Sequence, residues 1–173
     1  IDALNRLEVA ALSGKPVLLS GERGTGKTRL VEQTALKLTN RPNSQTPGKD
    51  VRFEKIIAKP DLLPSSAGGT PYYKYAELGM AVTGKSSTLQ EKPDNSGLVV
   101  ADDEFNLRPS SEQTEMMARI ASWTPGKKVR MPVTNTEEIV APGFFFCAMA
   151  NLASERYERK KIPPEVTRKF AKV

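Results

Sequence analysis

Residues Gly21 to Thr28 read GERGTGKT: a glycine, four residues, a second glycine, a lysine and a hydroxyl residue. Glycines at these places let the backbone curl until successive N–H groups converge on one phosphate. A helix starting at the lysine adds the partial positive charge of its N-terminus. The flanks supply that setting, with the apolar run Pro16-Val17-Leu18-Leu19 before the loop and a helical pattern from Lys27 to Leu38 after it. A glycine-rich turn that merely precedes Lys-Thr would not need both flanks. The spacing therefore predicts a nucleoside-triphosphate site, with Lys27 reaching the β- and γ-phosphates and the Thr28 hydroxyl ligating Mg²⁺. Contacts to the nucleotide are expected from Gly21, Glu22, Arg23, Gly24, Thr25, Gly26, Lys27, Thr28 and Arg29. The loop does not choose ATP over GTP, because base-reading residues lie outside it.

A second stretch carries the complementary charge. Gly97 to Asn106 reads GLVVADDEFN, an apolar strand that ends in acids. In nucleotide hydrolysis one such carboxylate orients Mg²⁺ and the next polarises the attacking water. Three acids in a row leave the working pair open: Asp103 with Glu104, or Asp102 with Asp103. A solvated acidic turn would look the same without the phosphate loop upstream. Asn151 follows the apolar run Phe144 to Met149, where its amide could sit between these acids and the γ-phosphate and position water.

Composition narrows the chemistry further. The chain has 173 residues, one cysteine and no histidine, which excludes Cys/His zinc sites and histidine acid–base catalysis within it. Carboxylates, lysines, arginines and hydroxyls must do the work. Cys147 lies inside an apolar run and reads as a small buried hydrophobe. A mean hydropathy of −0.43 is ordinary for a soluble domain. No apolar run approaches the roughly 18 residues of a membrane span, so no membrane partner is expected. A nucleoside-triphosphate site without a disulfide framework points to the cytoplasm or nucleus. The net charge of +6 admits an anionic partner. Its basic residues gather in Lys127-Lys128-Val129-Arg130 and near the C-terminus; solvated loops and nucleotide-facing cations account for them better than nucleic acid does.

The elements that must hold these residues follow from periodicity. Asp2 to Leu12 is an amphipathic helix, stopped by Gly14. Val17 to Ser20 is a buried strand, Lys27 to Leu38 a helix, and Asn40 to Asp50 a loop. Val51 to Ala58 is a second strand. Pro60 to Gly97 is rich in Pro, Gly and Ser, weakly helical around Tyr73 to Met80, and reads as a functional insertion. Leu98 to Ala101 is a third strand. Ser110 to Trp123 is a helix, with Ser110 as N-cap and Gln113 closing a capping box. Lys127 to Val140 is a β-hairpin turning at Thr134-Asn135-Thr136. Phe144 to Met149 is a fourth buried strand, and Pro163-Pro164 starts a short helix to about Lys169. Strands alternating with helices imply an α/β fold, a mostly parallel sheet covered on both faces, with ligands at the carboxyl ends of its strands.

Together these residues resemble the AAA+ ATPases, within them the group of MoxR-type proteins, midasin, dynein-like modules and the McrB restriction GTPase. The likeness covers nearly the whole chain. It rests on Lys15 to Ser20 running into GERGTGKT, on Asp103-Glu104-Phe105-Asn106 as the group's Asp-Glu-x-Asn, on Phe144 to Asn151, and on Ile162-Pro163-Pro164 to Phe170. The resemblance implies a P-loop NTPase three-layer sandwich, with core strands ordered 5-1-4-3-2. It implies Asp103 for the metal and Glu104 for the base, which leaves Asp102 surplus. It also implies ATP and Mg²⁺ bound between neighbouring modules of a ring, usually of six, that works on a protein substrate or adaptor. Residues 60–97 would carry the group's helix-2 insertion and 127–140 the hairpin before the sensor strand, both facing the pore or a partner. Tyr72, Tyr73 and Tyr75 are then either substrate contacts or packing within the insertion.

Two departures stand out. The family's arginine finger immediately precedes the residue matching Phe170; here that residue is Lys169, with Arg168 one earlier. A lysine lacks the planar fork that stabilises a transferring phosphoryl group. Either Arg168 substitutes, or the module serves its neighbour's site poorly. Secondly, Val173 falls where the fifth strand has barely begun, and the helical lid is absent, so residues 1–173 are expected to be the large, nucleotide-binding subdomain of a longer protein. Three functions compete: a ring ATPase that remodels proteins, a structural module whose nucleotide is held without turnover, and a nucleic-acid motor or GTPase subunit.

Overall fold

The computed structural model describes residues 2–39, 52–57, 98–130, 137–140, 143–151 and 161–171. The insertion at 60–97, its three tyrosines and the hairpin turn at 134–136 lie outside the described residues. In chain order the elements are α1 (Asp2–Leu12), β1 (Val17–Gly21), α2 (Lys27–Thr39), β2 (Arg52–Ile57), β3 (Leu98–Asp103), a single 3₁₀ turn (Phe105–Leu107), α3 (Ser110–Ile120), β4 (Lys128–Arg130), β5 (Glu137–Ile139), β6 (Phe145–Asn151) and α4 (Pro164–Thr167).

Four strands form one parallel sheet in the order β1-β6-β3-β2. Among core strands alone this is 1-4-3-2. Ala171 begins a fifth beside β1 through a parallel bridge to Val17, its N–H donating to the Pro16 carbonyl at 2.8 Å. The expected order 5-1-4-3-2, with its last strand barely begun, is the one observed. β4 and β5 pair antiparallel as a separate hairpin.

The central strands β3 and β6 are apolar on both faces because both faces are covered. Side chains alternate across them. Val99, Ala101, Phe145, Cys147 and Met149 pack under α1 and α2 with Leu7, Val31 and Ala35. Leu98, Val100, Phe146 and Ala148 pack on the other face with Phe105, Met116, Met117, Ile120, Val166 and Phe170. Those two layers around one sheet are the three-layer sandwich.

One local expectation is corrected. Ser110 is not the N-cap of its helix. Pro109 takes that place in an extended conformation (ψ 145°), and Ser110 is the first helical residue. Gln113 does not close a capping box either. It is fully buried and donates its amide to the Arg108 carbonyl at 2.8 Å, an acceptor that burial would otherwise leave unpaired. The helix also ends at Ile120, three residues before Trp123.

Cys147 is fully buried in β6, and burial pushes its thiol well above the ordinary range. The folded chain therefore keeps this proton while the unfolded chain releases it from about pH 8.5 upward. Its contribution is intact below that pH, and stability falls as pH rises beyond it, by about 1.4 kcal/mol per pH unit. Urea unfolding at pH 8 and pH 10 should show wild type losing ~2 kcal/mol more than Cys147→Ala; equal losses would mean that the thiol ionises within the fold.

Candidate nucleotide site

β1 delivers the chain to Gly21, and the loop turns through Gly24 (φ 81°) and Gly26 (φ 79°) before α2 starts at Lys27. Both angles lie in the left-handed region, which glycine enters without a Cβ penalty. Thr25 Oγ1 ties the loop across by donating to the Glu22 carbonyl at 2.9 Å. The first helical hydrogen bond runs from Leu30 N to Gly26 O at 2.9 Å. The start of α2 thus opens at the loop mouth, and its first turn holds no acid to compete for an anion. Glu22, Arg23 and Arg29 are exposed around this opening, and Thr28 is half-buried.

Lys27 Nζ donates to Gly21 O (3.1 Å), Glu22 O (2.7 Å) and Asn151 Oδ1 (2.7 Å). Asn151, the last residue of β6, then donates its Nδ2 to Glu104 Oε1 at 3.4 Å. One amide so connects the loop lysine to an acid at the end of β3. Asn106 Nδ2 donates to the Asn151 carbonyl at 2.9 Å and ties the acidic segment to the same strand end.

The three acids go to three environments. Asp103 has the same parity on β3 as Val99 and Ala101, so it comes out on the face of α2 and the loop. Its Oδ1 accepts the Glu104 N–H at 3.0 Å and its Oδ2 meets Lys55 Nζ at 2.8 Å, in a partly exposed pair. Asp102 faces the opposite layer and is 0% exposed. Arg108 grips it at both oxygens, Nε to Oδ2 at 3.0 Å and a terminal nitrogen to Oδ1 at 2.9 Å, and also reaches Glu112. Burial works to lower the Arg108 pKa, but the charges and hydrogen bonds of Asp102 and Glu112 outweigh it and hold the pKa above its ordinary value. Glu104 adopts φ 57°, ψ 37°, alone among described non-glycine residues in having positive φ. A side chain in that region costs roughly 1–2 kcal/mol, so its surroundings enforce it. Composition gave no signal for the Arg108 contact.

Arg168 and Lys169 are exposed in the turn that ends α4, between buried Val166 and buried Phe170. They are not part of the hydrogen-bonded set of Lys27, Asn151 and Glu104.

The donor set suits a metal that arrives with phosphate. Among the described residues no three carboxylates or sulfur or imidazole groups cluster to hold an ion by themselves. Mg²⁺ in nucleotide sites takes one or two protein oxygens and completes its shell with phosphates and water. Thr28 and Asp103 fit that sparse demand.

The profile of the AAA domain family, dynein-related subfamily, matches residues 16–170, from the start of β1 to Phe170. The chain belongs to this family. Nucleotide binding by an AAA module of the dynein-related subfamily follows from that membership. Among solved structures, a candidate ATPase from Cytophaga hutchinsonii aligns over 96% of this chain and 43% of its own, with 23% identity and a TM-score of 0.57. The VirB11 ATPase of the Brucella suis type IV secretion system aligns over 91% and 36%, at 14% identity and TM-score 0.38. Drosophila ORC bound to DNA aligns over 92% and 39%, at 17% identity and TM-score 0.39. This AAA+ chain spans less than half the length of each. No curated protein sequence matches it.

The loop geometry makes a prediction about the fold itself. A Cβ added at Gly26 meets nothing within 4 Å, so Gly26→Ala is charged only for its backbone angle. The expected loss is roughly 1–2 kcal/mol, read as a lower melting temperature. An unchanged melting temperature would mean that the loop relaxes out of this conformation at no cost.

Proposed function

We propose that this AAA+ module binds ATP with Mg²⁺, hydrolyses it, and works within a ring, six modules being usual in the family, that remodels a protein complex. The observation that carries the reading is the hydrogen-bonded series from Lys27 through Asn151 to Glu104, with Asp103 on the same face of the sheet. It supports the reading because Lys27, Asn151, Glu104 and Asp103 lie near the carboxyl ends of neighbouring strands β1, β6 and β3, where a cation, a water-orienting amide, a base and a metal acid would be needed.

Mg²⁺, held by Thr28 and through water by Asp103, would neutralise charge on the β- and γ-phosphates. Lys27 is already at the loop mouth, and it exchanges its carbonyl partners for phosphate oxygens. Glu104 accepts a proton from the attacking water as the water oxygen bonds to the γ-phosphorus and the bond to the bridging oxygen breaks. Asn151 holds that water in line. Catalysis of this kind is positioning and electrostatic stabilisation rather than covalent chemistry.

A second reading, a module that holds nucleotide without turnover, draws on Lys169 at the finger position. A lysine presents a point charge where an arginine presents a planar fork.

Turnover by the full-length protein, wild type beside Glu104→Gln, separates the readings. The amide keeps the shape and removes the base, so the variant should bind ATP with wild-type affinity while turnover falls by about a hundredfold or more. Wild-type ATP binding with turnover no higher than the variant's would instead favour the structural module. Lys27→Ala should lose ATP binding itself, measured with a fluorescent nucleotide, and retained affinity would contradict the loop assignment.

A further inference from the structure

Asp102 has no task in the reaction just described. It faces away from the loop and cannot share the metal, yet it is a carboxylate at the C-terminal end of a buried strand, where an apolar residue would be cheaper. Its partner, Arg108, is 1% exposed and lies six residues further on. The segment they enclose contains Asp103, Glu104, Phe105, Asn106 and Leu107. Within that span Glu104 holds its positive φ, Leu107 N donates to the Glu104 carbonyl at 2.8 Å, and Arg108 N donates to the Phe105 carbonyl at 3.2 Å.

We propose that the buried Asp102–Arg108 pair is a positioning clamp for Glu104: it closes the loop from the end of β3 to the start of α3 and so fixes the base opposite Asn151. The inference rests on the proposed role of Glu104. Three features support it. The contact is bidentate, so it fixes orientation as well as distance. It closes a span short enough that its two ends leave the intervening turn few conformations. The arginine is itself held, by Glu112 one helical turn ahead and by Gln113 at its carbonyl. A pair that only neutralised buried charge would need neither the fork nor a frame around it. Arg108 and Asp102 act through Glu104 and touch no reacting atom.

Two variants test the clamp. Arg108→Lys keeps the charge and loses the fork. The double variant Asp102→Leu with Arg108→Met removes both charges into an apolar layer, a replacement that buried ion pairs often tolerate. The measurements are melting temperature, affinity for a fluorescent ATP analogue, amide exchange over residues 104–107, and the kcat and KM of the full-length protein. For a clamp, both variants bind the analogue within about threefold of wild type, since the loop is untouched. Exchange over 104–107 rises about tenfold, and kcat falls ~10- to 100-fold with KM held, as expected when a base is misplaced by about an ångström. Wild-type exchange and kcat in a folded double variant would overturn the clamp, leaving the pair as charge compensation. If wild type binds nucleotide without turning it over, the hydrolytic reading fails separately, and the exchange data alone then decide whether the pair holds the turn. If Arg108→Lys does not fold, the double variant carries the test.

Discussion

The site depends on the phase of two strands. β3 and β6 are adjacent, parallel and buried on both faces, with Ala101 opposite Cys147 and Asp102 opposite Ala148. Because side chains alternate with a period of two, the residue that ends each strand is committed to one layer or the other. Asp103 and Asn151 come out on the layer of α2, where the loop delivers Lys27. Asp102 and Ala148 come out on the layer of α3 and α4. A slip of one residue in β3 would bury Asp103 among Phe105, Met117 and Phe146 and present Asp102 to the loop. The apolar residues under α1 and α2 resist that slip, since it would exchange the inward set of Val99 and Ala101 for the set that fits the other layer. Apolar packing within the layer that carries the loop therefore decides which acid faces it.

Much of this was legible in the sequence because it is written locally. The loop is contiguous, its flanks declare strand and helix, and the buried runs of β3 and β6 are unbroken. The acid pair was not legible from the residues alone, for a physical reason. Leu-Val-Val-Ala is apolar at every position, so it carries no alternation from which to read the strand's phase. Without phase, Asp102 and Asp103 are equivalent. The partnership of Asp102 with Arg108 is invisible for a related reason: six residues apart they would not touch along a helix or a strand, and the left-handed Glu104 with the 3₁₀ turn Phe105–Leu107 lies between them where the ends meet. Ser110 misled because a serine three residues before a glutamine satisfies the capping pattern, whereas the residue before it, Pro109, already sits at the helix boundary with its ψ extended. The buried carbonyl of Arg108 then claims Gln113. Capping rules compare local partners, and here a tertiary demand outbids them.

The exposed pair Arg168 and Lys169 shows how the same frame reaches the edge of the module. Their position is fixed from both sides. Val166 is buried in α4, Phe170 packs edge-on against Phe105 with ring centroids 5.9 Å apart, and the Ala171 N–H bonds to Pro16 beside the first residue of β1. Exposed side chains flanked by such anchors are held in place on the surface of the module. Phe105 is also the residue after Glu104, so the aromatic contact joins the Glu104 segment to the segment of the exposed cations through one pair of rings. The chemistry of the two cations then matters in different ways. Lys169 occupies the position next to the anchor but offers a single strongly hydrated charge. Arg168 carries the fork but stands one residue further back, where reaching a γ-phosphate costs side-chain freedom. On the ring reading, the aim of either cation would depend on the Phe105–Phe170 contact, which adjoins the turn that Asp102 and Arg108 close.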